Sequence, residues 1–429
     1  MSGVTLAVMG GSSVATPALL AALLDWGGNS ETRPELRVVL LGRSAEKLER
    51  VRAVCERMTR NARPAMRVEA TTDIRIGLRG ADYVLNQMRV GGLEARAHDE
   101  TYPQALGYPG EETVGPGGFA NALRTIPVVN EALRVVGEVA PRSIVLNLTN
   151  PASIVQHAAT RYTGARMLSL CDSPITLGNE LAALLERPRS DVQIGYIGMN
   201  HLGWVVSLHD GERDLMDLAL ERIERLSSLS VDADYRSYIR ASRAIPIPYV
   251  RYYLYPEHVL AQQQGKMPRA RQLQALEREL LATYEAHSSD ASHSDVSHLV
   301  KAVSKRGAAW YSAIIVPVLD ALIHNHSGTW IASVANEGLI PWLPSGTVIE
   351  ALCSIDGQGA HPLPIQSDLL PSELRGLLTS LALYEELAVP AIVEQRRDLA
   401  LRALVAHPLV RTLEDAERVL AAVWPTGGV

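Results

Sequence analysis

Val4-Thr5-Leu6-Ala7-Val8-Met9-Gly10-Gly11-Ser12-Ser13-Val14-Ala15-Thr16-Pro17 decides the fold class. The first six residues are apolar apart from Thr5 and read as a buried strand, too short for a helix. A Gly-Gly-Ser-Ser turn follows. Residues 16–26 then read as a helix, with Pro17 in the first turn, where a missing N–H does no harm. A strand, a glycine turn and a helix at the start of a chain form the first unit of a nucleotide-binding α/β sheet. The turn brings backbone N–H groups and the helix dipole toward a pyrophosphate, and its glycines allow close approach. Gly10, Gly11, Ser12 and Ser13 are therefore cofactor candidates, although the run is not a full G-x-G-x-x-G and is also compatible with an ordinary tight turn.

Working outward, the pattern repeats. Strands are predicted over 36–41, 67–70, 82–86, 143–147 and 167–170, with a charged amphipathic helix over 44–58. Alternating strands and helices predict a Rossmann-type, doubly wound parallel sheet covered on both faces. After Cys171 the pattern changes. Sequential strands are predicted over 191–197 and 202–208, and helices over 213–228, 234–242, 268–286 and 297–324. A Ser/Asp/His-rich loop is placed at 288–298, strands at 330–334 and 348–354, and helices from 372 to 424. The division expected is a dinucleotide-binding domain over 1–170 and an α+β catalytic and oligomerisation domain over 171–429.

Composition closes off several classes. Of 429 residues 47% are hydrophobic and 21% charged, which excludes a disordered chain. The net charge of −6, without a Lys/Arg-rich run, argues against a nucleic-acid surface. Apolar runs are short and broken, so no membrane span is expected. No basic segment precedes the first apolar run, so no signal peptide is read and a cytoplasmic protein is expected. Three cysteines, Cys55, Cys171 and Cys353, cannot build a disulfide framework.

Several stretches at strand ends carry chemistry. NAD sites usually place Asp or Glu at the end of the second strand; here Leu41-Gly42-Arg43-Ser44 has none, and Arg43 suits a 2′-phosphate or plain solvent. Asn147-Leu148-Thr149-Asn150-Pro151 puts polar groups where a nicotinamide or substrate would lie, or forms an Asx turn. Cys171 and His201 make half of a soft metal site, or else a buried thiol and a structural imidazole. Residues 89–100 and 111–118 combine glycines and charges on the functional edge of the sheet and favour ligand contact. Pro246 to Tyr253 is tyrosine-rich, and a Tyr beside a cation can serve as a base.

Taken in order, these stretches resemble glycoside hydrolase family 4, especially its 6-phospho-β-glucosidases. The resemblance also runs through Gly198-Met199-Asn200-His201-Leu202-Gly203-Trp204, Lys305-Arg306-Gly307-Ala308 and Asn336-Glu337-Gly338-Leu339-Ile340-Pro341, and so spans nearly the whole chain. It implies a phosphorylated disaccharide or glycoside as substrate, NAD and a divalent metal, usually Mn²⁺, and a homodimer or homotetramer. It further implies redox elimination: oxidation at C3, removal of the C2 proton, loss of the C1 group, addition of water and return of hydride. That route differs from two-carboxylate hydrolysis. The resemblance makes Cys171 and His201 the metal ligands, Tyr249 and Asp172 catalytic residues with Tyr253 the alternative base, and Asn147 a cofactor contact. It gives Arg96, Asn150, Glu112 and Arg306 to the substrate, with Ser13 and Arg306 toward its phosphate. Two departures stand out. The missing acid before Arg43 predicts weak discrimination by an NAD enzyme against NADP. Asp172 stands where β-specific members carry Asn and 6-phospho-α-glucosidases carry Asp.

Overall fold

In the computed structural model, which describes residues 3–26, 33–229, 233–289 and 308–425, the first strand is the hub of a parallel sheet. β1 (Val4–Met9) lies between β2 (Leu36–Leu41) and β4 (Tyr83–Asn86), in register Met9 to Leu41 and Met9 to Asn86. β3 (Met66–Thr71) extends one side, and β5 (Ile144–Asn147) and β6 (Met167–Ser169) the other, all parallel. Four strand ends, at Met9, Leu41, Asn86 and Asn147, thus come level along one edge. This is the doubly wound arrangement, and its ligands lie beyond that edge.

Both faces are covered. One apolar core forms under α1 (Thr16–Leu24) and α2 (Ala45–Thr59), joined by Tyr284 and the segment from Tyr311 to Leu322. The opposite core forms under α3 (Ile74–Leu78), α5 (Gly115–Val139), α6 (Ala152–Thr163), α7 (Asp172–Leu184) and the C-terminal helices.

The boundary expected near residue 171 falls where strand direction changes, yet the hydrogen-bonded sheet does not stop there. β11 (Gly328–Ala335) pairs antiparallel with β6 at Ser333–Ser169. β12 (Val348–Asp356), β7 (Gln193–Met199), β8 (Leu202–Asp210) and β10 (Ile245–Pro246) continue it, with β13 (Gly359–Pro362) and β9 (Arg213–Asp214) attached at the side. Among the described residues a single 13-stranded sheet runs through both halves.

One stretch differs from expectation. Residues 213–228 do not form one helix. Gly211, with φ +60°, turns the chain so that β9 pairs back on β8, and Asp214 Oδ1 then accepts from the Met216 amide to start a short helix, Met216–Glu221. Of the charged runs, most of 89–100 lies in α4 (Gly92–Ala105), and 111–118 is a turn that enters α5 at Gly115. The loop expected over 288–298 and the first part of the helix expected over 297–324 lie mostly outside the described residues. Where description resumes, a π-turn (Tyr311–Ile315) leads into the helix Val316–His324. The helix Ser372–Val393 has the length and hydropathy of a membrane span, but Leu374, Leu378, Leu381, Val389 and Ile392 are buried inside the molecule. It is a packed core helix.

Candidate active site

The loop after β1 is shaped by what it cannot accommodate. A Cβ on Gly10 would lie 2.8 Å from the Gln87 carbonyl oxygen, and one on Gly11 2.8 Å from Leu40 Cα. The loop therefore lies flat across the ends of β2 and β4. Its amides at Gly10 and Gly11 both donate to the Leu41 carbonyl, and Ser13 Oγ accepts from the Ala15 amide. Among the described residues, the amides of Ser12 and Val14 take no partner in the chain. They lie in the turn between β1 and α1, where a doubly wound sheet holds a pyrophosphate, so the cradle fits a dinucleotide. Gln87 locks the turn by donating to the Gly10 carbonyl and Thr16 Oγ1, while it accepts from the Tyr311 hydroxyl.

Asn147 offers a cofactor no free side-chain group. Its amide donates to the Thr149 carbonyl and Ser169 Oγ, and its oxygen accepts from Asn86 Nδ2 and the Thr149 amide. All four of its hydrogen-bonding positions are thus used, two in tying β4, β5 and β6 together and two in holding the turn at Thr149. Asn150 stands just beyond, its carbonyl held by Asn121 Nδ2 at 3.2 Å.

Further along the edge, Cys171 leads into α7 and Asp172 opens that helix with an accessible carboxylate. Asn200-His201 forms the two-residue turn of the β7–β8 hairpin, His201 with φ +68°. The network around His201 fixes its tautomer. Asn200 Nδ2 donates to Glu350 Oε1 at 3.1 Å, so Asn200 Oδ1 is an acceptor; it lies 2.7 Å from His201 Nδ1, which must carry the proton. Nε2 keeps its lone pair. Burial also lowers the imidazole pKa to about 4, against the pull of Glu112, so the ring is neutral at pH 7. A neutral imidazole whose second nitrogen is held by a hydrogen bond is the form that ligates a metal.

Tyr249 draws the two ligand candidates together. Its ring meets His201 edge-on at 3.8 Å between centroids. Burial first, then the charges of Glu111, Cys171 and Asp172, hold its phenol well above the usual tyrosine range. Tyr249 thus contacts the imidazole and is acted on electrostatically by Cys171 and Asp172, and Glu350 links Cys171 electrostatically to the Asn200 network. Among the described residues no group of three His, Cys, Asp or Glu could hold a metal. Burial, then Glu350 and Asp172, hold the Cys171 thiol well above the usual cysteine range, so it would ligate a metal only on losing its proton to the cation. With the neutral imidazole of His201 it supplies the donor types of an open site, with positions left for substrate oxygens. Tyr253 stacks on His407 at 6.3 Å and lines a cavity together with Asn200 and Glu385.

Arg96 and Glu112 meet at 2.9 Å, and Arg96 also holds Glu100 at 2.6 Å. Burial alone would raise the Glu112 pKa, but Arg89 and Arg96 outweigh it and keep the carboxyl ionised. Its partner Glu111 goes the other way: burial and the adjacent Glu112 charge push it up to about 7. Sequence reasoning missed Glu350, whereas Glu111 lay within the run 111–118 expected to contact a ligand. A lone acid in the apolar run Val348-Ile349-Glu350-Ala351-Leu352 was the available signal, since an unpaired buried Glu is rare. Arg306 lies outside the described residues. Arg43 stands at the end of β2, at the far side of the loop from Tyr249's cluster.

Residues 5–187 match the model of the family 4 glycosyl hydrolases, and residues 196–410 that of the family 4 glycosyl hydrolase C-terminal domain. The chain belongs to glycosyl hydrolase family 4. It is accordingly a glycosidase. Within family 4 it is similar to the probable 6-phospho-β-glucosidase of Bacillus subtilis, 30% identical over 97% of this chain and 95% of that one. The phospho-α-glucosidase of Clostridium acetobutylicum is 28% identical, over 98% and 97%. The structure of the 6-phospho-β-glucosidase from Thermotoga maritima with manganese, NAD⁺ and glucose-6-phosphate superposes with a TM-score of 0.85, at 27% identity, over 98% and 97%.

Proposed function

We propose that this family 4 member hydrolyses 6-phospho-β-glucosides by NAD- and divalent-metal-dependent redox elimination and addition. The observation that carries the reading is Tyr249 set edge-on against an imidazole whose Nε2 is left free, beside a thiol and a carboxylate. Bound NAD supplies a hydride acceptor for C3, and Mn²⁺ a Lewis acid for the sugar oxygens. Cys171 and His201 would hold the metal. Tyr249 would take the C2 proton as a phenolate: burial and the neighbouring carboxyls hold its own phenolic proton tightly, and that proton would leave to solvent first, once a bound divalent cation offsets those charges. Asp172 would hand a proton to the departing C1 oxygen. Arg96 and Asn150 would orient sugar hydroxyls, with Glu112 fixing Arg96. Arg306 and Ser13 remain the candidates for the 6-phosphate.

A second reading, hydrolysis of 6-phospho-α-glucosides by the same steps, rests on Asp172 alone. Chromogenic α- and β-linked 6-phosphoglucosides, assayed with Mn²⁺ and NAD in deuterated water, test both. The expected result is turnover of the β substrate and deuterium at C2 of the product, since elimination breaks that C–H bond. Product without deuterium would exclude the mechanism, and turnover of the α substrate alone would select the second reading. Tyr249→Phe should lower kcat by ~10²–10⁴-fold with nicotinamide binding retained. Near-normal turnover would move the base elsewhere. Self-association is part of the proposal: Leu383, Val405 and Leu413 are exposed apolar residues on C-terminal helices, and light scattering of the purified chain reads the assembly directly.

A further inference from the structure

The dinucleotide site carries a specificity element at its adenosine end. In a doubly wound sheet the adenosine ribose lies against the end of the second strand, where a carboxylate takes its 2′- and 3′-hydroxyls and repels a 2′-phosphate. Here that strand ends Leu41-Gly42-Arg43-Ser44. A Cβ on Gly42 would lie 2.9 Å from both Cβ and Oγ of Ser12, so the pyrophosphate loop is seated directly on this glycine. A carboxylate-bearing side chain at position 42 would have to displace Ser12.

The other carboxylates on this edge are committed. Glu46 pairs with Arg50 at 2.8 Å, Glu277 with Lys47, and Glu69 with Arg37 at 2.6 Å. On the adjacent strand end, where Thr71 pairs with Leu41, Asp73 Oδ1 accepts from the amides of Arg75 and Ile76. Arg43 is exposed and has no ion pair among the described residues. It sits where α2 begins, capped by Ser44 Oγ accepting from the Lys47 amide at 3.3 Å, so the positive end of a 15-residue helix adds to its charge. Among the described residues, the end of β2 therefore presents a guanidinium without an ion pair and no carboxylate of its own.

From this juxtaposition of Gly42, Arg43 and the start of α2 we propose that the chain binds NADP at least as tightly as NAD, with Arg43 as the residue that takes the 2′-phosphate. The proposal rests on the dinucleotide reading of the loop and goes beyond it. A guanidinium meets a phosphate through charge-assisted, forked hydrogen bonds. The test is calorimetric titration of the metal-free protein with NADH and NADPH, and with ADP-ribose and its 2′-phosphorylated form, for wild type and Arg43→Ala. Wild type should bind NADPH with a Kd no higher than that for NADH. Arg43→Ala should shift the Kd ratio toward NADH by roughly 10- to 100-fold. The 2′-phosphorylated fragment should follow the same shift, and its affinity should fall more steeply with salt than that of ADP-ribose. Binding of NADH with NADPH more than tenfold weaker, or an Arg43→Ala ratio unchanged, would overturn the specificity proposal and leave the dinucleotide reading standing. Binding of neither dinucleotide would overturn both.

Discussion

Asn200 determines which nitrogen of His201 faces a ligand. Its amide is oriented by Glu350, a buried acid whose pKa is raised by burial and which is held in turn by Asn200 and by the Tyr196 hydroxyl at 2.7 Å. Glu350 and Gly198 are paired across β12 and β7, so two strands of the sheet set the angle of an imidazole in a hairpin turn. Asn200 acts through His201 and is a positioning residue. Removing its oxygen frees Nδ1 to lose its proton, and the ring can then present the wrong nitrogen. Asn200→Ala should weaken Mn²⁺ binding by roughly 10- to 100-fold, the usual cost of losing such a partner, with NADH binding unchanged. Mn²⁺ titration followed by electron paramagnetic resonance measures it. An unaltered Mn²⁺ affinity would show that Asn200 does not position the ligand.

At the scale of elements, β1, β2, β4, β5 and the β7–β8 hairpin were legible because each is an apolar run ended by Gly, Asn or Asp, and β3 because Val68 and Ala70 alternate with Arg67 and Glu69. The site was legible in part for the same reason: Gly10, Asn150, Cys171 and His201 all follow such runs. What was not legible depended on side chains reaching back to the backbone. The segment from Glu111 to Gly118 reads as a stretch for ligand contact, yet Glu111 Oε2 is spent on the Thr113 and Val114 amides, in the turn from which α5 starts. A carboxylate acting as a cap from outside the helix has no periodicity to detect. The glycines there serve packing: a Cβ on Gly117 would lie 2.1 Å from the Glu111 carbonyl oxygen and 2.4 Å from that of Asp99. Gly117→Ala must push α5 away from α4 and disturb Glu111 and Glu112 together. It should cost ~1–3 kcal/mol in overpacking and lower kcat as well, because Glu112 fixes Arg96. Urea denaturation and steady-state kinetics check the two effects, and a variant of wild-type stability would contradict the packing argument.

Across the whole molecule, one buried contact ties the nucleotide-binding half to the C-terminal helices. Ser153 on α6 donates to Glu385 Oε1 at 2.5 Å, 232 residues away in sequence. Glu385 is 3% exposed, and its Oε2 has no partner among the described residues. Burial is the main cause that pushes its pKa up to about 8, against an unfolded value of about 4.3. The sign follows from proton binding. Between pH ~4.3 and 8 the folded chain holds this proton and the unfolded chain has released it, so the contribution of Glu385 to stability falls as pH rises. The stabilisation is complete below the unfolded pKa and is lost by the time pH passes the folded one. Each pH unit inside the window costs up to ~1.4 kcal/mol, a few kcal/mol across it. Glu385→Gln keeps the Ser153 hydrogen bond and has no proton to lose. Its Tm relative to wild type should therefore rise steadily from pH 5 to pH 8 and level off above, as measured by thermal unfolding followed by circular dichroism. Parallel pH profiles for the two proteins would mean that Glu385 is ionised in the folded chain, and its buried charge would then need a partner near Ser153.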